Sequence, residues 1–100
     1  MNLLPLSETR HYILLALREP LHGYAIMKTV YNLSERTVNL AAGTLYGAID
    51  SLQKEGYIKL IHSNNPRTKV YSITEEGEKV LYKENHRLKR LIKIFEEGEK

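Results

Sequence analysis

The residues best equipped for chemistry in this 100-residue chain do not gather into a catalytic pattern. The histidines, His11, His22, His62 and His86, lack the spacing of a metal site. His22 reads instead as a cap or packing residue at the start of a helix. The acidic pairs Glu75-Glu76 and Glu96-Glu97 are each adjacent in sequence, so on a helix their side chains point in different directions. Helix-end electrostatics accounts for the first pair and solvation for the second. No nucleophile has a placed base, and no glycine-rich phosphate loop is present. The chain has no Cys, which excludes disulfides and thiolate zinc sites and fits a reducing compartment. The expectation is a protein that is not an enzyme and carries neither metal nor cofactor.

What remains is the chemistry of contact. Asn64, Asn65, Arg67 and Lys69 surround a turn with no apolar duty to perform. Arg67 is the strongest of them for a phosphate or minor-groove contact, because its charge is permanent and weakly hydrated. Ala42, Gly43, Thr44, Tyr46 and Gly47, with Lys54 further along, make up the polar, small-residue side of a helix. Between Gln53 and Val70 the basic residues Lys54, Lys59, Arg67 and Lys69 face only Glu55, a net +3 that equals the charge of the whole chain. With a sequence pI near 9.2, that concentration is compatible with a polyanionic partner. Lys54 and Lys59 also read as ordinary solvated charges, and Tyr24 and Tyr46 as half-buried packing residues with a wet hydroxyl.

The elements that must position these groups are well punctuated. Ser7 is placed to cap a first helix over Glu8 to Arg18, ended by Glu19-Pro20. A second helix starts near His22-Gly23 and runs to Tyr31, with Tyr24, Met27 and Tyr31 on one stripe and Asn32-Leu33-Ser34 as the break. In a third, from Ala42 to Glu55, Leu45, Ala48, Ile49 and Leu52 recur at the spacing of one buried face, and Gly56 stops it. Tyr57–Ile61 and Lys69–Ile73 read as strands of a β-hairpin whose turn holds Ser63, Asn64, Asn65 and Pro66. Thr74 caps a last helix from Glu75 to Glu97, about 35 Å long.

The predicted fold is mainly α with a small β-hairpin: a winged helix-turn-helix followed by a long C-terminal dimerisation helix. Residues 1–74 form the head and residues 75–100 the helix of what is a single domain overall. In such folds the second helix of the pair enters the major groove, the first braces it across the backbone, and the hairpin is the wing. The expected DNA-contacting residues are therefore Tyr24, Ala42, Gly43, Thr44, Tyr46, Lys54, Asn64, Asn65, Arg67 and Lys69. Leu81, Leu88, Leu91, Ile92 and Phe95 supply a dimer seam, because a helix that projects past a three-helix core cannot bury both faces on it. Its N-terminal part is expected to pack on its own head and Leu88, Leu91, Ile92 and Phe95 mostly on a second chain. No apolar run approaches the ~20 residues needed to span a bilayer, and Met1 to Pro5 lacks the form of a signal peptide, so a cytoplasmic location is expected. A winged-helix adaptor that binds protein rather than specific DNA is the alternative.

Four stretches carry a family resemblance. They are HGYAI from His22 to Ile26, GTLY from Gly43 to Tyr46, the pattern L-KEGYI from Leu52 to Ile58, and KVYSITEEG from Lys69 to Gly77. In this order and spacing the chain resembles the PadR-like transcriptional regulators in their short form. The resemblance covers roughly residues 3 to 95. It implies a homodimer paired through its C-terminal helices and reading a palindromic operator in double-stranded DNA. It further implies a repressor that lets go when a small, often aromatic molecule binds. Gly43, Thr44, Leu45 and Tyr46 would open the reading helix, and Tyr24 would offer its hydroxyl to the DNA backbone. The chain departs from the family in having no Trp to wall a ligand cavity, in RTKVYS ahead of the second strand, and in a short final helix.

Overall fold

A computed structural model of the protein describes residues 4–62, 65 and 68–99. The chain order is α1 (Glu8–Ala16), β1 (Leu21–His22), α2 (Gly23–Leu33), α3 (Ala42–Lys54), β2 (Ile58–His62), β3 (Val70–Ile73) and α4 (Glu75–Gly98). The result is mainly α with a small antiparallel sheet, as the pattern predicts. The molecule is drawn out to 56 × 28 × 21 Å, because α4 runs past the head.

The helix starts follow from capping. Ser7 Oγ accepts the Arg10 amide at 3.2 Å, and Thr74 Oγ1 accepts the Gly77 amide at 3.1 Å. His22 Nδ1 accepts the Ala25 amide at 3.1 Å, so the histidine read as a cap is one. Each bond satisfies an amide that the helix itself leaves free. The ends moved more than the starts. α1 stops at Ala16 because the next turn tightens, the Arg18 and Glu19 amides reaching back to Leu15 and Ala16. α2 continues through Asn32 and Leu33 and turns at Ser34 instead. There Ser34 Oγ donates to the Tyr31 carbonyl and accepts the Val38 amide, and the chain reverses through Glu35 (φ 53°) and Arg36 (φ 67°). Left-handed backbone at two non-glycine residues costs about 1 kcal/mol each or more, so the buried Ser34 bonds hold this turn in place.

The predicted hairpin is two strands of a three-stranded sheet, in the order β1-β3-β2. β3 lies in the middle, pairing Tyr71 with Leu21 on one side and with Leu60 on the other. The additional strand, β1, is two residues long, too short to show any periodicity.

One core serves all the elements. Ile13, Leu14 and Leu17 meet Ile26 and Val30 of α2, Leu45, Ile49 and Leu52 of α3, and Ile58, Tyr71, Val80 and Leu81 of the hairpin and α4. Leu81 corrects the expected dimer seam, because at 7% exposed it belongs to the chain's own core. From Asn85 to Gly98 every residue of α4 is exposed, including Leu88, Leu91, Ile92, Ile94 and Phe95.

Glu84 marks the point where α4 leaves the head. It is 3% exposed, and its carboxylate accepts the Leu6 amide and the Arg87 Nε, both at 2.5 Å. Burial alone would push this carboxyl up, but Arg87, the Leu6 amide and the charge on His11 outweigh it and hold it below the usual range. A depressed folded-state pKa stabilises above the unfolded carboxylate pKa and is lost as pH falls through the folded one. Acid titration of thermal stability should therefore show a decline setting in below about pH 4.3. Glu84→Gln should flatten that decline; an unchanged profile would mean other carboxylates govern it.

Candidate nucleic-acid interface

The predicted reading helix is built as a cylinder buried on one side. Leu45, Ala48, Ile49 and Leu52 face inward, and Ala42, Gly43, Thr44, Tyr46, Gly47 and Asp50 are exposed. Its amino end differs from those of α1, α2 and α4. The N-cap is Ala41, which offers no side-chain bond, so the first-turn amides point outward without a side-chain acceptor. Together with the helix dipole this favours an anion such as phosphate.

Gly43 and Gly47 lie on the same outward face. A Cβ added to either would meet nothing within 4 Å. Packing within the chain therefore gives no reason for glycine at these positions, although each costs the helix about 1 kcal/mol relative to alanine. What two bare backbone positions provide is close approach from outside.

α1 and α2 hold this surface in place. Arg10 Nε donates to Ser51 Oγ at 3.0 Å, tying α1 to the C-terminal half of α3. Tyr46 reaches back from the N-terminal half and lies over Gly23, at the start of α2. Its hydroxyl faces this junction, while 51% of the residue remains exposed. Tyr24 is next in sequence and 74% exposed. Tyr24 thus stands at the amino end of α2, next in sequence to the glycine that Tyr46 of α3 overlies. Lys69 arrives at the same end, because the following Val70 pairs with His22.

Other predicted residues are not brought together. Lys54 is exposed but ion-paired with Asp50 at 3.2 Å. It stands at the far end of α3, about 18 Å along the axis from Ala42. Asn65 is exposed in the turn, and Asn64 and Arg67 lie outside the described residues.

Sequence reasoning passed over a groove of about 220 Å³ on α2, lined by Tyr24, Met27, Lys28, Tyr31 and Asn39. Lys28 is one helical turn after Tyr24 on the exposed side, and that i, i+4 spacing was the available signal. Two larger clefts, of about 420 and 410 Å³, flank the contact between α1 and α4, with His11 and Leu15 in both walls. Among the described residues no group of three or more His, Cys, Asp or Glu could hold a metal ion. Among the same residues no helix is long and apolar enough to cross a membrane.

Residues 13–83 match the transcriptional regulator PadR-like family. No curated protein sequence matches the chain significantly. Among solved structures, a transcriptional regulator from Clostridium thermocellum is 28% identical, with 89% of this chain and 87% of that one covered and a TM-score of 0.76. A PadR family regulator from Clostridium difficile R20291 is 25% identical over 94% of this chain and all of its own, with the same TM-score of 0.76. PadR of Bacillus subtilis, solved in complex with operator DNA, is 24% identical, and its likeness is one of fold. The TM-score there is 0.65, over 79% of this chain and 47% of the longer Bacillus protein.

Proposed function

Because the chain belongs to the PadR-like family of transcriptional regulators, we propose that it is a homodimeric repressor that reads a palindromic operator in duplex DNA. The outward face of α3 carries this reading: its amino end is uncapped and its two glycines serve no contact inside the chain. In the proposal Ala42, Gly43, Thr44 and Gly47 approach base edges and the nearest phosphates in the major groove. Tyr24 and Lys28 of α2 brace the backbone, and Asn65, Arg67 and Lys69 of the wing add contacts beyond it. Lys54, paired with Asp50, is at most a peripheral phosphate contact. The Bacillus subtilis relative on operator DNA supports the proposal through a shared fold.

The head, residues 1–74, and the helix, residues 75–100, divide the work of reading and pairing. The exposed Leu88, Leu91, Ile92 and Phe95 form the seam with a second copy. A small aromatic effector would suit the cleft lined by Leu6, Tyr12, Leu15, Arg87 and Leu88, where head meets arm. Binding there would change the separation of the two heads. About 1.4 kcal/mol of preference between two spacings is a tenfold change in DNA affinity.

The direct test is selection from random duplex DNA by the purified protein, followed by salt titration of the winner. An enriched inverted repeat is expected, with affinity falling steeply as salt rises and much reduced by Arg67→Ala. Weak, equal binding to every duplex would favour the adaptor instead. A second result is expected to separate function from folding. Gly43→Ala and Gly47→Ala should each raise stability by about 1 kcal/mol, or melting by roughly 4–8 °C, while weakening operator binding. Equal or tighter binding by the stabilised variants would show that the bare face meets no DNA.

A further inference from the structure

HGYAI and GTLY, separate in the sequence, meet at one point in the fold. A Cβ on Gly23 would lie 2.3 Å from Tyr46 Oη and 3.1 Å from its Cζ. Gly23 is buried and directly follows His22, which pairs with Val70 and caps α2. Tyr71 is close by on β3. Burial pushes its phenol up, and Tyr46 adds to the effect. Tyr46 therefore carries α3 to the place where β1 becomes α2 and where the wing strand begins.

The contact has a counterpart at the other end of α3. The Arg10–Ser51 bond anchors the C-terminal half. The buried Leu45, Ile49 and Leu52 hold α3 to the core, but apolar contacts are non-directional and tolerate small slides. The amino half, where Gly43, Thr44 and Gly47 stand, has Tyr46, lying over Gly23, as its close contact with α2.

We infer that Tyr46 is a positioning residue, whose hydroxyl seated on Gly23 sets the angle of α3 against α2 and the wing and so the register of the reading face on DNA. The inference rests on the DNA reading above and assigns Tyr46 to the head rather than to the duplex. Glycine at position 23 is then required by recognition. Hydrogen bonds to base edges weaken steeply with misalignment, whereas phosphate attraction does not. A tilted α3 would lose sequence choice before it lost general affinity.

The test compares wild type, Gly23→Ala, Tyr46→Phe, Tyr46→Ala and the double variant Gly23→Ala/Tyr46→Phe. The probes are the duplex that wild type enriches from a random pool and a scrambled duplex of equal length. The readout is the ratio of the two affinities. Gly23→Ala is expected to lower that ratio by about tenfold or more, with scrambled-duplex binding nearly unchanged. Tyr46→Phe removes one atom from the contact and costs less. In the double variant it makes room for the new Cβ and restores most of the ratio. Tyr46→Ala removes the seat altogether and lowers the ratio by a similar amount, which keeps the test valid should Gly23→Ala fold poorly. Equal losses on both duplexes, an unchanged ratio, or a double variant no better than Gly23→Ala would each overturn the inference. If wild type enriches no duplex, the DNA reading itself fails and this inference falls with it.

Discussion

A protein carrying Leu91→Glu and Phe95→Glu is expected to be a monomer with a folded head and to bind its selected operator at least about 100-fold more weakly. Leu88, Leu91, Ile92 and Phe95 follow an i, i+3, i+4, i+7 pattern along α4, so they form one stripe. Each is exposed, Phe95 by 66%, in a helix that has already left the core at Glu84. Such a stripe is stable in water when a second copy covers it. Two glutamates placed there would meet two more across a symmetric seam, adding repulsion to the lost apolar contact. The head should survive because its own core stops at Leu81 and the Glu84 bonds. Binding suffers through geometry: one head on a half-site raises the effective concentration of the other, and a monomer forfeits that gain. Sedimentation velocity reports the association state, and anisotropy at fixed salt reports the affinity. A persistent dimer would move the seam to the α1–α4 clefts around Leu15. A monomer that binds as tightly as wild type would overturn two-headed reading.

The parts of this fold that were legible in the sequence are those specified locally. Ser7, Thr74 and Gly56 act within one turn of themselves, and Leu45, Ala48, Ile49 and Leu52 declare their face by spacing alone. What was not legible depends on contacts between distant residues. β1 exists because β3 offers it a ladder, and two residues carry no periodic signal. Glu84 sits among Lys83, Asn85, His86 and Arg87 and reads as solvated. Its burial follows from Leu6, 78 residues away, donating its amide to it. Leu81 fits the heptad of Leu88 and Phe95, so spacing alone placed it in a dimer seam. The helix is one continuous element whose partner changes from its own head to solvent at Glu84. The candidate site divides in the same way. Gly43, Thr44 and Gly47 were visible as a small-residue helix start, whereas the seat of the Tyr46 hydroxyl over Gly23 depends on how α2 and α3 cross.

Gly77→Ala is expected to be the most damaging small substitution in the chain, costing about 3 kcal/mol and roughly 12–24 °C in melting temperature. Gly77 lies in the first turn of α4, where alanine would ordinarily gain about 1 kcal/mol over glycine. Here the added Cβ would stand 2.2 Å from the Tyr57 carbonyl oxygen and 2.6 Å from Ile73 Cγ1. Neither neighbour can yield freely. The Tyr57 carbonyl already accepts the Thr74 amide at 3.0 Å, and Thr74 Oγ1 donates to the Gly56 carbonyl at 2.6 Å. Moving α4 away would therefore loosen the bonds that fix its first turn to the end of α3 and the start of β2. The opposed terms leave a net cost, because a backbone collision must be relieved by displacing a whole helix. Gly98→Ala is the matched control: it lies in the same helix with nothing within 4 Å of an added Cβ, and should leave the melting temperature nearly unchanged. Thermal unfolding of the two variants beside wild type decides the matter. A Gly77→Ala protein as stable as Gly98→Ala would mean that α4 does not cross the hairpin this closely. A destabilised one whose operator affinity falls further than its folded fraction requires would show that this joint also sets the direction in which the arm carries its partner.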